Sequence, residues 1–322
     1  MARMDRRLRL WAWLVRQQAS IAGKSEADVL VLQSRHAPAN AVTNYIFGAV
    51  ARGVQVQDRT IPGPGGEIPV RVYRPAAPAG PDPRPLVLNI HGGGFVFGDL
   101  RLCDWLCSHV ALRVGAVVVS VDYRLAPRHR FPAAVEDSYA ALVWAAEHAA
   151  GLGAGGPVAV MGESAGGNLS AVLCLLARDR GGPALSHQVL LYPATDMTAE
   201  HPATASTPFL SGPEMEAYRR HYLADADPSD PMVSPLLASD HHGLPPALIQ
   251  VAEHDPLRAD GIRYAAALRA AGVPVRLTEY VGMPHGYLNF PGLCRIAPQA
   301  LAEICAEQTA VLAQPSPEPT AS

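Results

Sequence analysis

Val158-Ala159-Val160-Met161-Gly162-Glu163-Ser164-Ala165-Gly166-Gly167 decides how this chain folds. A short apolar, β-branched run stops at Gly162, a serine follows two places on, and glycine returns at Gly166 before a long apolar-periodic stretch. That order reads as strand, tight turn, helix. Gly162 to Gly166 is a G-x-S-x-G. A serine on a sharp strand-to-helix turn needs neighbours two residues away without a Cβ, because side chains there would collide as the chain reverses. Its hydroxyl then stands above the sheet, at the head of a helix whose first amides lack partners. Ordinary strand-to-helix turns carry the same five-residue pattern, so its meaning depends on what the rest of the chain supplies.

On either side of this turn, strands and helices alternate. The remaining buried strands are expected at Leu86–Ile90, Ala116–Asp122, Gln188–Tyr192, Ala247–Ala252 and Val275–Tyr280, with Val158–Met161 leading into the serine. Helices are expected at Leu102–Arg113, Ala133–Ala149, Ala165–Arg178, Arg258–Ala271 and Pro298–Leu312. Near-continuous apolar strands between amphipathic helices imply an α/β fold with a mostly parallel sheet covered on both faces. Ahead of it, Val54–Ile61 and Ile68–Tyr73 alternate around Pro62-Gly63-Pro64-Gly65-Gly66, an antiparallel hairpin, and Ala76–Pro85 is a surface loop. Residues 1–50 read as a helical cap segment with apolar faces at Trp11, Trp13, Leu14, Val29, Leu30 and Leu32. The stretch 193–246 far exceeds the usual connection of about two to six residues. It holds a helical piece, Pro213–Tyr222, with Met215, Tyr218 and Tyr222, followed by Leu223. A long insertion on the carboxyl-end side of the strands is where a lid sits, with the N-terminal helices as its partner. The chain therefore divides into the 1–50 cap segment, core at 51–194, a cap insertion at 195–235, core at 236–313 and a frayed tail at 314–322.

Bulk composition excludes several alternatives. Of 322 residues, 49% are apolar and 17% charged, so a large buried core is expected. The net charge of -3, with both signs interspersed, marks no nucleic-acid surface. Cys103, Cys107, Cys174, Cys294 and Cys305 are odd in number and mostly fall in expected helices, which suggests reduced thiols in a cytoplasmic protein. Cys103 and Cys107 are four apart, but no ligand-rich stretch adjoins them, so they read as core thiols and no metal site is expected. Met1–Arg9 is basic and Leu10–Val15 apolar, which imitates a secretory leader. That run is shorter than the about seven residues a leader needs and no Ala-x-Ala follows, so it reads as a retained amphipathic helix. No segment approaches a membrane span.

A raised serine is a poor nucleophile unless a base takes its proton and a third group orients that base. In this kind of sheet both partners come from loops after later strands, in the order serine, acid, histidine. Asp255 follows Ala247–Ala252 and His285 follows Val275–Tyr280. Twelve histidines compete for the role. His36, His109, His129 and His148 precede the serine in helices or their flanks, His201, His221, His241 and His242 belong to the insertion, and His254 abuts Asp255 on one loop. His285 alone follows the last strand, in Gly-Met-Pro-His-Gly. Asp260, the rival acid, falls one turn into the next helix and reads as an exposed helix carboxylate. Directly after Leu86–Ile90 comes His91-Gly92-Gly93-Gly94, whose glycines let backbone amides approach an oxyanion unobstructed.

Together these motifs resemble the hormone-sensitive lipase-like α/β-hydrolases, the bacterial family IV esterases. His91-Gly92-Gly93-Gly94-Phe95, Gly162-Glu163-Ser164-Ala165-Gly166-Gly167, Asp255-Pro256-Leu257-Arg258 and Met283-Pro284-His285-Gly286 carry the likeness. Asp122-Tyr123-Arg124-Leu125-Ala126-Pro127 and Phe131-Pro132-Ala133-Ala134 extend it, so it runs from about Val70 to Phe290. The resemblance implies an eight-stranded hydrolase sheet with a helical cap, a Ser164, Asp255, His285 triad, and an oxyanion hole from the amides of Gly93, Gly94 and Ala165. It makes His91 a loop brace. It implies a carboxylester hydrolase for short- to medium-chain acyl esters, with a small-molecule ester as partner and no cofactor or metal; a homodimer is compatible with it. Phe95, Tyr192, Phe209, Leu210 and Tyr287 are candidates for the pocket wall. Glu163 stands where many members have Asp or Thr, and Arg128 where Glu is common. Two other readings share the fold: a deacetylase or amidase dedicated to one metabolite, and a non-catalytic receptor of the kind plant gibberellin receptors represent, which the intact set of three residues disfavours.

Overall fold

Eight strands form one sheet in the spatial order β1-β2-β4-β3-β5-β6-β7-β8. They are β1 (Val54–Gly63), β2 (Gly66–Pro75), β3 (Leu86–Ile90), β4 (Val117–Val121), β5 (Val158–Glu163), β6 (Leu185–Leu191), β7 (Ala247–His254) and β8 (Val275–Pro284). β2 is antiparallel to both β1 and β4, and every other neighbouring pair is parallel. The helices are α1 (Arg6–Ala19), α2 (Glu26–Gln33), α3 (Ala41–Phe47), α4 (Asp104–Val114), α5 (Ala133–Glu147), α6 (Ala149–Leu152), α7 (Ala165–Asp179), α8 (Gly212–Leu223), α9 (Arg258–Ala270) and α10 (Ala297–Leu312). This computed structural model describes residues 4, 6–35, 40–78, 80, 82–200, 207 and 209–313. The tail 314–322 lies outside the described residues, as do His36 and His201. Among the described residues no helix is long and apolar enough to cross a membrane.

The central strands are apolar on both faces because helices cover both faces. Leu88 and Ile90 of β3 join Val119, Val160, Leu190 and Ile249 in a core with α5, α7 and α9. Val87 joins Val118, Ala159, Met161, Val189 and Leu248 in a second core with α4 and α10. Alternate residues of each strand thus serve opposite cores, and each fully buried aliphatic side chain contributes about 1.5–3 kcal/mol.

Several element boundaries shift by a few residues from those expected; two departures bear on the site, and the first positions a catalytic candidate. β8 does not stop at Tyr280. Ala252 pairs with Tyr280 and His254 with Pro284, so a bulge interrupts the ladder and the strand resumes beyond it. Gly282 takes φ 77° within it, and its amide donates to Glu253 Oε2 at 2.8 Å. The bulge re-aims β8 so that it delivers His285 at its end. The second departure is the short turn Leu100–Cys103, a 3-10 helix capped by Asp99, which precedes α4 where one continuous helix was expected.

α2 and α8 meet above the carboxyl ends of the strands. The Gln33 amide donates to Val96 O at 2.6 Å and Ala126 O at 2.7 Å, Arg130 pairs with Glu26, and Arg220 donates to Lys24 O. α8 begins on a capping box between Ser211 and Glu214, with Pro213 in its first turn, where a missing N–H costs nothing. The loop after β4 is held from below. Arg124 makes a two-pronged bond to the fully buried Asp137 of α5, at 2.8 Å to each oxygen, and Asp137 also accepts from the Arg124 amide. Asp137→Ala should therefore cost about 1.5–3 kcal/mol in urea denaturation. Glu136→Ala, removing a half-exposed carboxylate 3.9 Å from the same arginine, should cost under about 0.5 kcal/mol. Equal losses for the two variants would mean that Asp137 does not brace the loop.

Candidate active site

Every chemistry-bearing loop leaves the same edge of the sheet. His91 follows β3, Ser164 follows β5, Tyr192 follows β6, Asp255 follows β7 and His285 follows β8. Ser164 sits at φ 55° and ψ -116°, a backbone state that L-residues rarely adopt. A Cβ on Gly162 would lie 2.2 Å from Gly166 O, and one on Gly166 would lie 2.0 Å from Ile90 O. Both glycines of the motif are thus required by backbone contact, as the sequence pattern implied. The Ser164 amide donates to Leu191 O at 2.8 Å, which ties the turn to β6.

The structure brings Ser164, Asp255 and His285 together. His285 Nδ1 lies 2.8 Å from Asp255 Oδ2, and Nε2 lies 2.9 Å from Ser164 Oγ. An ionised carboxylate only accepts, so Nδ1 carries the proton and Nε2 offers its lone pair to the hydroxyl. Asp255 is buried, and the Leu257 amide donates to its other oxygen at 2.9 Å. Gly93, Gly94 and Ala165 line the same cavity as Ser164, and Ala165 opens α7, where amides have no partner within the helix. Beneath the glycine loop, His91 is fully buried, stacks on Tyr123 with ring centroids 4.2 Å apart, and places Nδ1 2.8 Å from Gly92 O. Burial pushes its pKa down to about 4, so the ring is a neutral brace at neutral pH.

The cavity above Ser164 has a volume of about 740 Å³. Phe95, Tyr192, Phe209 and Leu210 line it, as do Met197, Met215, Tyr218, Leu257, Asn289 and Phe290. Tyr287 does not belong to this wall. It is wholly buried, its hydroxyl donates to Gln250 Oε1 at 3.3 Å, and its ring meets Tyr192 edge-on and Tyr280 at a tilt below the site. The 3-10 turn Tyr287–Asn289 after the left-handed Gly286 tucks Tyr287 inward and gives the cavity Asn289 and Phe290. Phe290 in turn packs on Phe209, Trp11 and Phe47, so α1 and α3 back one cavity wall. Among the described residues no group of three or more His, Cys, Asp or Glu side chains is placed to hold a metal ion.

A sequence profile of the alpha/beta hydrolase fold matches residues 87–289. The carboxylic ester hydrolase LipN of Mycobacterium tuberculosis is 51% identical over 247 residues, covering 73% of this chain and 65% of that protein's own length. Esterase LipI of the same organism is 45% identical over 256 residues, covering 77% of this chain and 79% of LipI. Among solved structures, the hyperthermophilic esterase from the archaeon Pyrobaculum calidifontis superposes with a TM-score of 0.82 at 36% identity, covering 96% of this chain and 99% of that one. The chain is an esterase of the hormone-sensitive lipase-like α/β-hydrolase family.

Two residues of this esterase do what its sequence did not disclose. Glu163, whose only apparent significance was a departure from the family pattern, is buried beside Ser164. It accepts the Tyr192 hydroxyl at 2.6 Å and faces the Cys103 thiol at 3.8 Å. Burial raises its pKa, while the Tyr192 hydroxyl and the nearby His285 imidazole pull the other way. Asp260 is not the exposed helix carboxylate expected. It is 1% exposed, accepts the Thr195 and Asp196 amides at 3.1 and 3.2 Å, and pairs with Arg263, which also holds Asp196. α9 turns that residue inward because Gly261 beside it packs against Val251, and the carboxylate then fixes the start of the insertion. Of the other histidines, His109 and His148 bond the carbonyl four residues earlier, His241 bonds Pro235 O, and His242 pairs with Asp240.

Burial lifts the Asp260 pKa to about 6, against Arg263 and the two amides. The unfolded value is about 3.9, so between about pH 4 and 6 the folded esterase binds more protons at this site than the unfolded chain. Stability from this group is therefore full below about pH 4 and is lost as pH rises through 6. Relative to Asp260→Asn, the urea midpoint of the wild type should decline as pH rises from about 4 to 7. A difference that stays constant across that window rules the assignment out.

Proposed function

We propose that Ser164 is the nucleophile of this esterase, His285 its general base and acid, Asp255 the group that orients the imidazole, and the amides of Gly93, Gly94 and Ala165 the oxyanion donors. The observation that carries the reading is the unbroken chain of contacts Asp255 Oδ2, His285, Ser164 Oγ at 2.8 and 2.9 Å. His285 Nε2 takes the hydroxyl proton as Oγ attacks the ester carbonyl. The oxyanion so formed is met by the three amides, and the imidazolium is stabilised by Asp255. Collapse expels the alcohol, which leaves with the proton from Nε2. Water, activated by the same nitrogen, then attacks the acyl-serine and returns the hydroxyl.

The substrates we assign are short- to medium-chain acyl esters. In support, the cavity is of moderate volume, and Met197, Leu210, Met215, Phe209 and Phe290 give it apolar walls. All five cysteines are buried and none forms a disulfide, which supports a reducing, cytoplasmic setting.

Nitrophenyl acetate, butyrate and octanoate assays test the proposal. Wild type should turn over the first two readily, and Ser164→Ala should lower kcat on the order of a million-fold, to the background of the oxyanion hole and binding alone. Asp255→Asn should lower it about ten-thousand-fold, because the wrong ring tautomer then faces the hydroxyl. Equal rates for wild type and Ser164→Ala dispose of the assignment. Hydrolysis of one acetylated metabolite, with general esters untouched, moves the reading to a dedicated deacetylase.

A further inference from the structure

One side chain of α8 rests directly on the glycine loop. A Cβ on Gly94 would fall 2.3 Å from Tyr218 Cδ1 and 2.5 Å from Cγ, so the ring lies against the bare Gly94 backbone. The same ring meets Phe97 edge-on, with centroids 6.3 Å apart and planes at 87°, and it lines the cavity with Ser164 and Gly93. The loop is held elsewhere too. The Val96 and Phe97 amides donate to Gly93 O, a Cβ on Gly93 would meet Phe97 O at 2.1 Å, and Gln33 grips Val96 O. What bounds the loop on its Gly94 side is Tyr218.

We propose that Tyr218 is a positioning residue for the oxyanion amides: its ring, brought in by the insertion, sets where the Gly93-Gly94 backbone stands relative to the carbonyl that Ser164 attacks. The inference rests on the hydrolase reading above. It couples the insertion to the chemistry, because α8 has to be seated for the donors to stand at their working distance. Acylation and deacylation both place charge on the same oxygen, so a loosened loop slows both steps, whereas ground-state binding, which draws on the apolar walls, is spared.

The test compares wild type, Tyr218→Phe, Tyr218→Leu and Tyr218→Ala on nitrophenyl butyrate. It adds inhibition by a trifluoromethyl ketone, which places an oxyanion in the same position. Tyr218→Phe keeps the ring and should retain wild-type kcat. Tyr218→Ala and Tyr218→Leu should lower kcat about tenfold to a hundredfold with KM within about threefold, and weaken the ketone by the same factor as kcat/KM falls. Leu keeps bulk, so it carries the test if the Ala variant does not fold. Gly94→Ala in the wild-type background puts a methyl into the ring and should abolish turnover. Combined with Tyr218→Ala it should recover part of that loss, because the clash with the ring has gone while the left-handed φ of 63° still strains alanine. Folded Leu or Ala variants with wild-type kcat, or with KM raised at constant kcat, make Tyr218 a mere wall and overturn this inference alone. A wild-type protein that hydrolyses no ester overturns the hydrolase reading, and this inference with it.

Discussion

At Ser164 the backbone is held at φ 55° because the neighbouring chains leave it no room to relax. Gly166, in the first turn of α7, lies against the Ile90 carbonyl at the end of β3, and Gly162 lies against Gly166. A non-glycine residue in such a state stores on the order of 1–3 kcal/mol. The offset is α7 itself, which buries Leu169, Val172, Leu173 and Leu176 in the core. Each contributes about as much as the strain costs. The same close approach has a second consequence. With α7 seated on the end of β3, the loop that leaves β3 at His91 passes beside the serine, so Ser164 and the glycine loop share one cavity for a single steric reason.

Carboxylates are buried at that turn and elsewhere in the fold, and each has its own means of compensation. Asp137 is matched by Arg124, Asp260 by Arg263 and two amides, and Asp255 by the Leu257 amide and His285. Glu163 has no basic side chain of its own. Its partners are the Tyr192 hydroxyl and the Cys103 thiol, and the nearest developing positive charge is His285. Tyr192 also meets the His285 ring edge-on at 5.1 Å, so one residue supports both the imidazole and the second acid. An imidazolium on His285 is stabilised by its contact with the buried Asp255, where such interactions are stronger than in water.

Much of this was readable in the sequence, and the readable part has a common physical basis. Strands buried on both faces announce themselves as apolar runs, and in this fold Ser164, Asp255 and His285 each follow one, so finding the strands finds the residues. Gly93, Gly162 and Gly166 were readable because backbone contact leaves no room for a side chain there. What stayed hidden depends on side-chain direction or on pairing between distant segments. Tyr287 and Phe290 are three apart in one loop, and only the 3-10 turn after Gly286 decides which of them reaches the cavity. The bulge in β8 was invisible because Gly282 looks like the end of a strand when its partner, Glu253, is unknown. Asp260 looked solvent-exposed because a helix wheel without neighbours cannot show that the Thr195 and Asp196 amides need an acceptor. The aromatic stack that joins α1 and α3 to Phe290 unites residues far apart in the chain, with no periodicity to signal it.

The distribution of backbone strain ties these points together. Among the described residues four non-glycines have positive φ: Phe95, Ser164, Tyr192 and Ala224. The first three line the cavity, and the fourth ends α8, the helix that carries Tyr218. Gly93, Gly94 and Phe95 are consecutive at φ 112°, 63° and 63°. The oxyanion role proposed for Gly93 and Gly94 asks this turn to present backbone amides to an anion, as turns can without a cationic side chain. Phe95 tolerates the state because its ring lies flat on Tyr222, with centroids 3.8 Å apart and planes within 4°. The stacking partner belongs to α8, one turn beyond Tyr218. Strain in the glycine loop is therefore balanced by contacts with the insertion, and the insertion is held down in turn by the Asp260 and Arg263 pair at its start. The fold's cost of exposing those amides is carried by packing outside the parallel sheet, so on the proposed mechanism the helices above the strands hold the donor loop as well as cover it.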